Sequence, residues 1–115
     1  HRMFQECYNF NSKVTIDTSK IAGMDYMFGV CYNFNQDISN FNVESVTNMS
    51  GMFNSGSGNL STINYNKLLI SWAAQNVQPN VPFYIESQCS GVDAKAARLH
   101  LINTHGWTIS DIPPV

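Results

Sequence analysis

The sequence predicts an α/β fold in two parts: a solenoid of stacked coils with short parallel strands, closed by a small C-terminal helix–strand–helix–strand cap. Three observations carry this. MFQECYNFN at 3–11 is written again as MFGVCYNFN at 27–35. IDTSKIAGMDYMF at 16–28 lies without a gap over FNVESVTNMSGMF at 41–53, so Met-Phe recurs at 3, 27 and 52, at intervals of 24 and 25 residues. Fixed periods of about 20–30 residues mark a solenoid, each repeat forming one coil. After Asn54 the repeat stops, and helical and strand periodicities alternate to the end of the chain.

Residues 1–53 hold two coils, 3–26 and 27–51, and enter a third. Within them apolar residues recur every third position: Phe28, Cys31 and Phe34, then Val43, Val46, Met49 and Met52. Spacing of three suits tight coil turns, since a sustained α-helix needs a mixed stripe of three and four. Phe10, Ser12, Val14 and Ile16 alternate, as do Phe34, Gln36 and Ile38, the mark of a short strand with one face inward. The same alternation puts Phe34 and Ile38 inward, and only comparison with known repeat families would turn Asp37 inward instead. Stacking places Phe10 under Phe34, Cys7 under Cys31 and Tyr8 under Tyr32, because a single coil cannot bury its own apolar face.

Residues 54–112 form the predicted cap, opened by the Gly/Ser-rich junction SGSGNLST at 55–62. Tyr65, Leu68, Leu69, Trp72 and Ala73 fall at i, i+3, i+4, i+7 and i+8 of an amphipathic helix, with Ser61 or Thr62 as its N-cap. Val81, Phe83 and Ile85 alternate as a strand, and Pro82 makes it an edge or irregular one. Ser90 and Asp93 stand at capping-box spacing before a second helix reaching about His105, with Gly106 as its left-handed stop. Trp107 and Ile109 read as a closing strand, and 113–115 as the start of a linker. A solenoid's last coil exposes apolar surface and strand edges, and this segment would cover them.

Composition narrows the function. The 115 residues are 43 % apolar and carry enough material for one core, but only 12 % are charged, about half the usual share. Polarity comes from neutral residues, fourteen of them Asn. A net charge of −2 argues against nucleic acid and against an anionic membrane surface as partners. No apolar run reaches the length of a membrane span, and HRMF opens inside a repeat, as a fragment or processed product would. Of the three cysteines, Cys7 and Cys31 hold equivalent places in the copied phrase, which favours free buried thiols over a staple.

The chemistry-bearing residues argue against an enzyme. There is no G-x-S-x-G and no Gly-rich loop leading to a lysine. Cys89, His100 and His105 lack the paired short spacers of a zinc site, so neither a metal nor a cofactor is expected. His100 reads as an exposed helix residue, His105 as a last-turn cation, Asp93 as half of a cap, and Asp37, Glu44 and Lys20 as solvated charges. Asp37 and Asp111 have no partner carboxylate or histidine at a readable spacing. The candidate ligand-binding groups are the repeated Tyr8, Asn9 and Asn11 with Tyr32, Asn33 and Asn35, which would stack into an aromatic-and-amide strip. Such a strip suits a sugar or a protein surface, since rigid aromatic faces beside amides bind at low ordering cost. The alternative is structural, with the amides bonding turn backbone and the tyrosines covering a coil edge.

FNQDISNFNVESVTNMSGMF at 34–53 resembles the repeat of the BspA-like leucine-rich-repeat surface proteins, of the pattern FNQDISNW-D-S-VTNMSGMF, first noted in mycoplasma lipoproteins. The likeness is looser over 3–33, where NSKVTI replaces the NQDIS phrase. It continues through LSTINYNKLLISWAAQ, VQPNVPF and AARLHLINTHGWTISD, which resemble the segment closing many such arrays. The resemblance implies a right-handed leucine-rich-repeat-like solenoid on a secreted or cell-surface protein. It also implies adhesin-like, non-catalytic recognition of an extracellular protein or glycan. Family arrays are often longer than two coils, so upstream repeats of the same chain are expected neighbours, and a bare N-terminal coil is expected to pair end to end. The competing expectation is a structural cap or spacer with no ligand site of its own.

Overall fold

A computed structural model describes residues 17–24, 34–53 and 60–115. Its regular elements are α1 (Thr62–Ala73), β1 (Pro82–Gln88), α2 (Val92–His105) and β2 (Thr108–Ile112). The stacking expected of Phe10, Cys7, Cys31, Tyr8 and Tyr32, and the junction at 54–59, lie outside the described residues.

The two described repeat segments lie side by side, with equivalent positions facing each other. Gly23 forms a parallel bridge with Asn48, 25 positions on. Around it the Met24 N–H donates to Asn48 O at 2.9 Å and the Thr47 N–H to Ala22 O at 2.8 Å. The Thr18 hydroxyl, buried between the segments, donates to Asn42 O at 3.0 Å and accepts from Asn42 N–H at 2.8 Å. A buried hydroxyl that both gives and takes a bond leaves no desolvated polar group behind.

The three-residue spacing has a direct cause in the backbone. Val46 N–H donates to Val43 O, and Met52 N–H to Met49 O, both at 3.1 Å. Ile21 to Thr18 and Phe41 to Ile38 repeat the same i+3 closure. Each closure is a β-turn whose first and last side chains both turn inward, and Val43, Val46, Met49 and Met52 are wholly buried. The Asx residues between them hold the corners. Asp17, Asp37, Asn42 and Asn48 each accept, through Oδ1, the N–H two residues on, at 2.9–3.0 Å. At Asp17 those bonds from Ser19, the main-chain N–H foremost, hold the carboxyl below its ordinary pKa. The question left open at Asp37 is settled: Phe34 and Ile38 are buried and Asp37 is exposed.

The parallel ladder does not stop with the repeats. Met49 bridges Phe83 of β1 in parallel, and β1 pairs in parallel with β2, Phe83 opposite Ile109. Segments at Gly23, Asn48–Met49, Phe83 and Ile109 therefore form successive rungs. The last two rungs match each other closely: Asn80 and Gly106, 26 positions apart, both have positive φ, 61° and 70°. A Cβ on Gly106 would stand 2.5 Å from Asn80 Oδ1, so two asparagines could not be stacked there.

α1 starts where Ser61 caps it, its hydroxyl accepting from Asn64 N–H at 3.2 Å. Tyr65, Leu68, Leu69 and Trp72 are its buried face, the stripe expected from spacing. In β1, Phe83 and Ile85 face inward together with Ser87, whose hydroxyl donates to Leu60 O at 2.8 Å, and Pro82 takes the first position of the strand. α2 departs from expectation at its start. Its N-cap is Gly91, with φ 85° and no side-chain cap bond, and the preceding Ser90 N–H is bound to Asn66 Oδ1 at 3.1 Å. The Ser90–Asp93 capping box therefore does not form. Gly106 ends the helix in the left-handed conformation. Beyond β2, residues 113–115 run on alongside the end of β1: Pro113 O accepts from Gln88 Nε2 at 2.7 Å and Val115 N–H donates to Cys89 O at 3.3 Å.

A line of aromatic rings runs through the core from Phe34 to Trp107. Phe34 meets Phe53 at 6.4 Å between centroids, Phe53 meets Phe83 at 6.5 Å, Phe83 meets Trp72 at 5.5 Å and Trp72 meets Trp107 at 6.4 Å.

Candidate functional site

Two polar constellations stand out from this apolar frame. The first is a seam between α1, with the loop that follows it, and the repeat segment 34–44. Along it Asn64 Nδ2 donates to Asn35 Oδ1 at 3.0 Å, and the Ser61 N–H donates to the same oxygen at 2.8 Å. One helical turn and more further on, the Ser71 hydroxyl donates to Ser39 O at 2.5 Å. Gln75 Nε2 donates to Phe41 O at 2.9 Å while its Oε1 accepts from Val43 N–H at 2.8 Å. The seam closes with Gln78 Nε2 donating to Glu44 O at 2.9 Å and Asn76 N–H to Glu44 Oε2 at 2.8 Å. Trp107 fixes the loop from behind, its indole N–H donating to Gln78 O at 2.9 Å. Lys67 and Asp37 add a 3.9 Å ion pair at the exposed rim, a geometry of little energetic weight.

Most of the acceptors and donors on the repeat side are main-chain groups. Backbone carbonyls and N–H groups at the side of a strand must find partners when covered. Here side-chain amides and a hydroxyl supply them. Glu44, expected as a solvated charge, is exposed and also bonds into this seam.

The second constellation joins three elements around a carboxylate. Asp111 on β2 has no exposed side-chain surface. Arg98 on α2 approaches it with both prongs, Nη2 to Oδ1 at 2.7 Å and Nε to Oδ2 at 2.9 Å. The Tyr65 hydroxyl on α1 donates to Oδ2 at 2.5 Å. The hydrogen bond to Asp111 raises the Arg98 pKa further. Desolvation, reinforced by Asp111, pushes the Tyr65 phenol far above its ordinary value, and desolvation likewise raises the buried Cys89 thiol. A protonated phenol, a protonated thiol and a carboxylate with both oxygens occupied offer no activated nucleophile. The group acts as a clamp, with the guanidinium fork matching the carboxylate.

This clamp has a pH signature with a definite sign. The ordinary phenol value is 10.0 and the ordinary thiol value 9.0, and both groups hold their protons more tightly in the folded chain. The unfolded chain releases those protons first as pH rises, so stability is full below about pH 9 and falls above it. Each retained proton contributes a slope of about 1.4 kcal/mol per pH unit. Urea midpoints measured from pH 8 to 11 should decline, and Tyr65→Phe should lose its share of that decline. Equal slopes for Tyr65→Phe and the parent would refute the assignment.

Sequence reading placed its binding strip elsewhere. Of Tyr8, Asn9, Asn11, Tyr32, Asn33 and Asn35, the structure describes Asn35 alone, where the amide oxygen is engaged at the start of α1. His100 and His105 stack edge to face with ring centres 5.0 Å apart. Among the described residues no group of three or more His, Cys, Asp or Glu side chains could hold a metal ion, and no helix is long and apolar enough to cross a membrane. Spacing alone missed both Gln75 and the Asp111 clamp. The available signal for the clamp was Tyr65 itself, a phenol placed in an otherwise apolar helix stripe and therefore in need of a buried partner.

Comparison with known proteins finds no match among curated proteins and none among solved structures. A family model does match, over residues 1–89, a span that takes in the repeats, α1 and β1. The chain thus belongs to the mycoplasma-type repeat family described as "Mycoplasma protein of unknown function, DUF285".

Proposed function

We propose that this chain is the closing end of a BspA-like, leucine-rich-repeat-like solenoid on a secreted or cell-surface protein, and that residues 60–112 serve as its non-catalytic C-terminal cap. The observation that carries this reading is the polar seam. Ser39 O, Phe41 O, Val43 N–H and Glu44 O are each satisfied from α1 or its following loop, while Asn42 among them bonds Thr18 of the neighbouring repeat segment. A segment that consumes the open edge of a repeat removes a template for pairing with another chain. The family resemblance supports the surface location. Recognition of an extracellular protein or glycan then belongs to coil faces, with the Tyr8, Asn9, Asn11, Tyr32, Asn33 and Asn35 strip as its candidate, and not to residues 60–112.

Deleting residues 61–112 tests the reading. The remaining repeats should associate or aggregate, with light scattering showing a mass above that of the monomer at micromolar concentration. A truncated chain that stays monomeric and folded by circular dichroism would refute the capping role.

A further inference from the structure

The bonds made by Gln75 follow a specific pattern. In a parallel pair of strands, one residue donates its N–H to the carbonyl before the residue it faces and accepts, through its own carbonyl, from the N–H after it. The Gln75 side-chain amide does this around Asn42, donating to Phe41 O and accepting from Val43 N–H. Asn42 itself turns its N–H and C=O the other way, to the Thr18 hydroxyl of the preceding repeat segment. Residues 41–43 thus have two bonding sides, one occupied by the neighbouring repeat and the other by a side chain imitating a peptide. The ladder resumes beyond Gln75, at the Met49–Phe83 bridge.

We propose that the face of α1 and its following loop carrying Ser71, Gln75 and Gln78 is a coil-reading surface. Its partner is the open peptide edge of a repeat coil, and Gln75 takes the place of the next coil's peptide. This rests on the capping reading and names what the cap recognises. Among the described residues, the side chains of Ser71, Gln75 and Gln78 bond the main-chain groups Ser39 O, Phe41 O, Val43 N–H and Glu44 O, so they read backbone shape and not the repeat's variable side chains. The side-chain contribution from the repeat enters at the seam's ends, through Asn35 and Glu44. A cap of this kind fits any coil that presents a carbonyl and, two residues on, an N–H along the same side.

Amide hydrogen exchange on the full chain tests this, with Val43 read against Thr47. The Thr47 N–H is bonded to Ala22 O on the opposite side of the same segment and serves as the internal control. Gln75→Met keeps the side chain's length and removes both bonds, so Val43 should exchange about tenfold faster relative to Thr47, as the loss of one such bond implies. Gln75→Glu keeps the acceptor for Val43 and loses the donor to Phe41 O. Its Val43 protection should stay within about threefold of the parent, by the same bond energetics. Parent-like Val43 exchange in Gln75→Met, or its loss in Gln75→Glu, would overturn the proposal. Should Gln75→Met fail to fold, Gln75→Glu carries the test. A monomeric 61–112 deletion with Val43 deprotected in Gln75→Met would instead sink the capping role while leaving the surface standing.

Discussion

Arg98→Met should cost about 3–5 kcal/mol of stability, the loss expected when one member of a buried ion pair is removed and the other is left uncompensated. Asp111 has no exposed side-chain surface and Arg98 keeps 18 %, so water cannot replace the guanidinium fork at the carboxylate. Tyr65 would remain as the carboxylate's donor, offsetting part of one bond and none of the charge. Asp111→Leu should be comparably costly, because it strands the guanidinium and a buried phenol together. The triple change Tyr65→Phe, Arg98→Met, Asp111→Leu should be less damaging than either single change, since removing all the polar groups at once leaves none unpaired. Chemical unfolding of the four proteins measures this directly, and the strong non-additivity is itself the expected signature of a shared network. Single changes within about 1 kcal/mol of the parent would mean that the clamp is solvent-screened and that β2 is held by other contacts.

Such a clamp explains how a five-residue final strand with no fully buried residue stays in place. β2 has the alternation of an edge strand but little apolar burial to hold it, with Ile109 only partly buried. Asp111 ties it to α1 and α2 at once. The bonds from Gln88 to Pro113 and from Val115 to Cys89 hold its end. Two prolines directly after the strand also remove donors from that end, a common way of blunting an edge.

The parts of this fold that were legible in the sequence are those fixed by near neighbours. Tyr65, Leu68, Leu69 and Trp72 are buried because a helix turns them to one side, and Val81, Phe83 and Ile85 because a strand alternates. The every-third-residue pattern at Val43, Val46, Met49 and Met52 likewise has a local cause in i+3 turn closures. What could not be read depends on distance. Asp111 meets Arg98 across 13 positions and Tyr65 across 46, and it looks solitary in the sequence because no spacing rule spans such gaps. Gln75 reads as an ordinary polar residue after a helix, and only the stacking of the repeat 34 positions earlier gives its amide a role. The start of α2 failed for a different reason. The Ser90–Asp93 spacing satisfies the capping-box rule, but Gly91 intervenes with a positive φ of 85° and an extended ψ of 162°, and shifts the cap one residue on.

Trp72→Ala is expected to be as costly as breaking the clamp, about 3–5 kcal/mol, the range for emptying a large buried aromatic site. The indole is wholly buried and stands between Phe83 at 5.5 Å and Trp107 at 6.4 Å, so its loss opens a cavity where α1, β1 and the last turn of the cap converge. Against a total stability of about 5–15 kcal/mol for a domain, this removes from about a fifth to all of it. Trp72→Phe separates packing from polarity. Trp72 Nε1 has no hydrogen-bond partner among the described residues, and phenylalanine removes that orphan donor while keeping an aromatic ring in the line. Relief of an unpaired buried N–H, worth about 1–3 kcal/mol, offsets part of the lost indole volume. Trp72→Phe should therefore fall well short of the alanine change in a urea titration followed by circular dichroism. A phenylalanine variant as damaged as the alanine one would show that the N–H is bonded in solution. An alanine variant close to the parent would break the larger claim: that the aromatic line from Phe34 to Trp107 makes the segment 34–53 and the elements after it one cooperative unit.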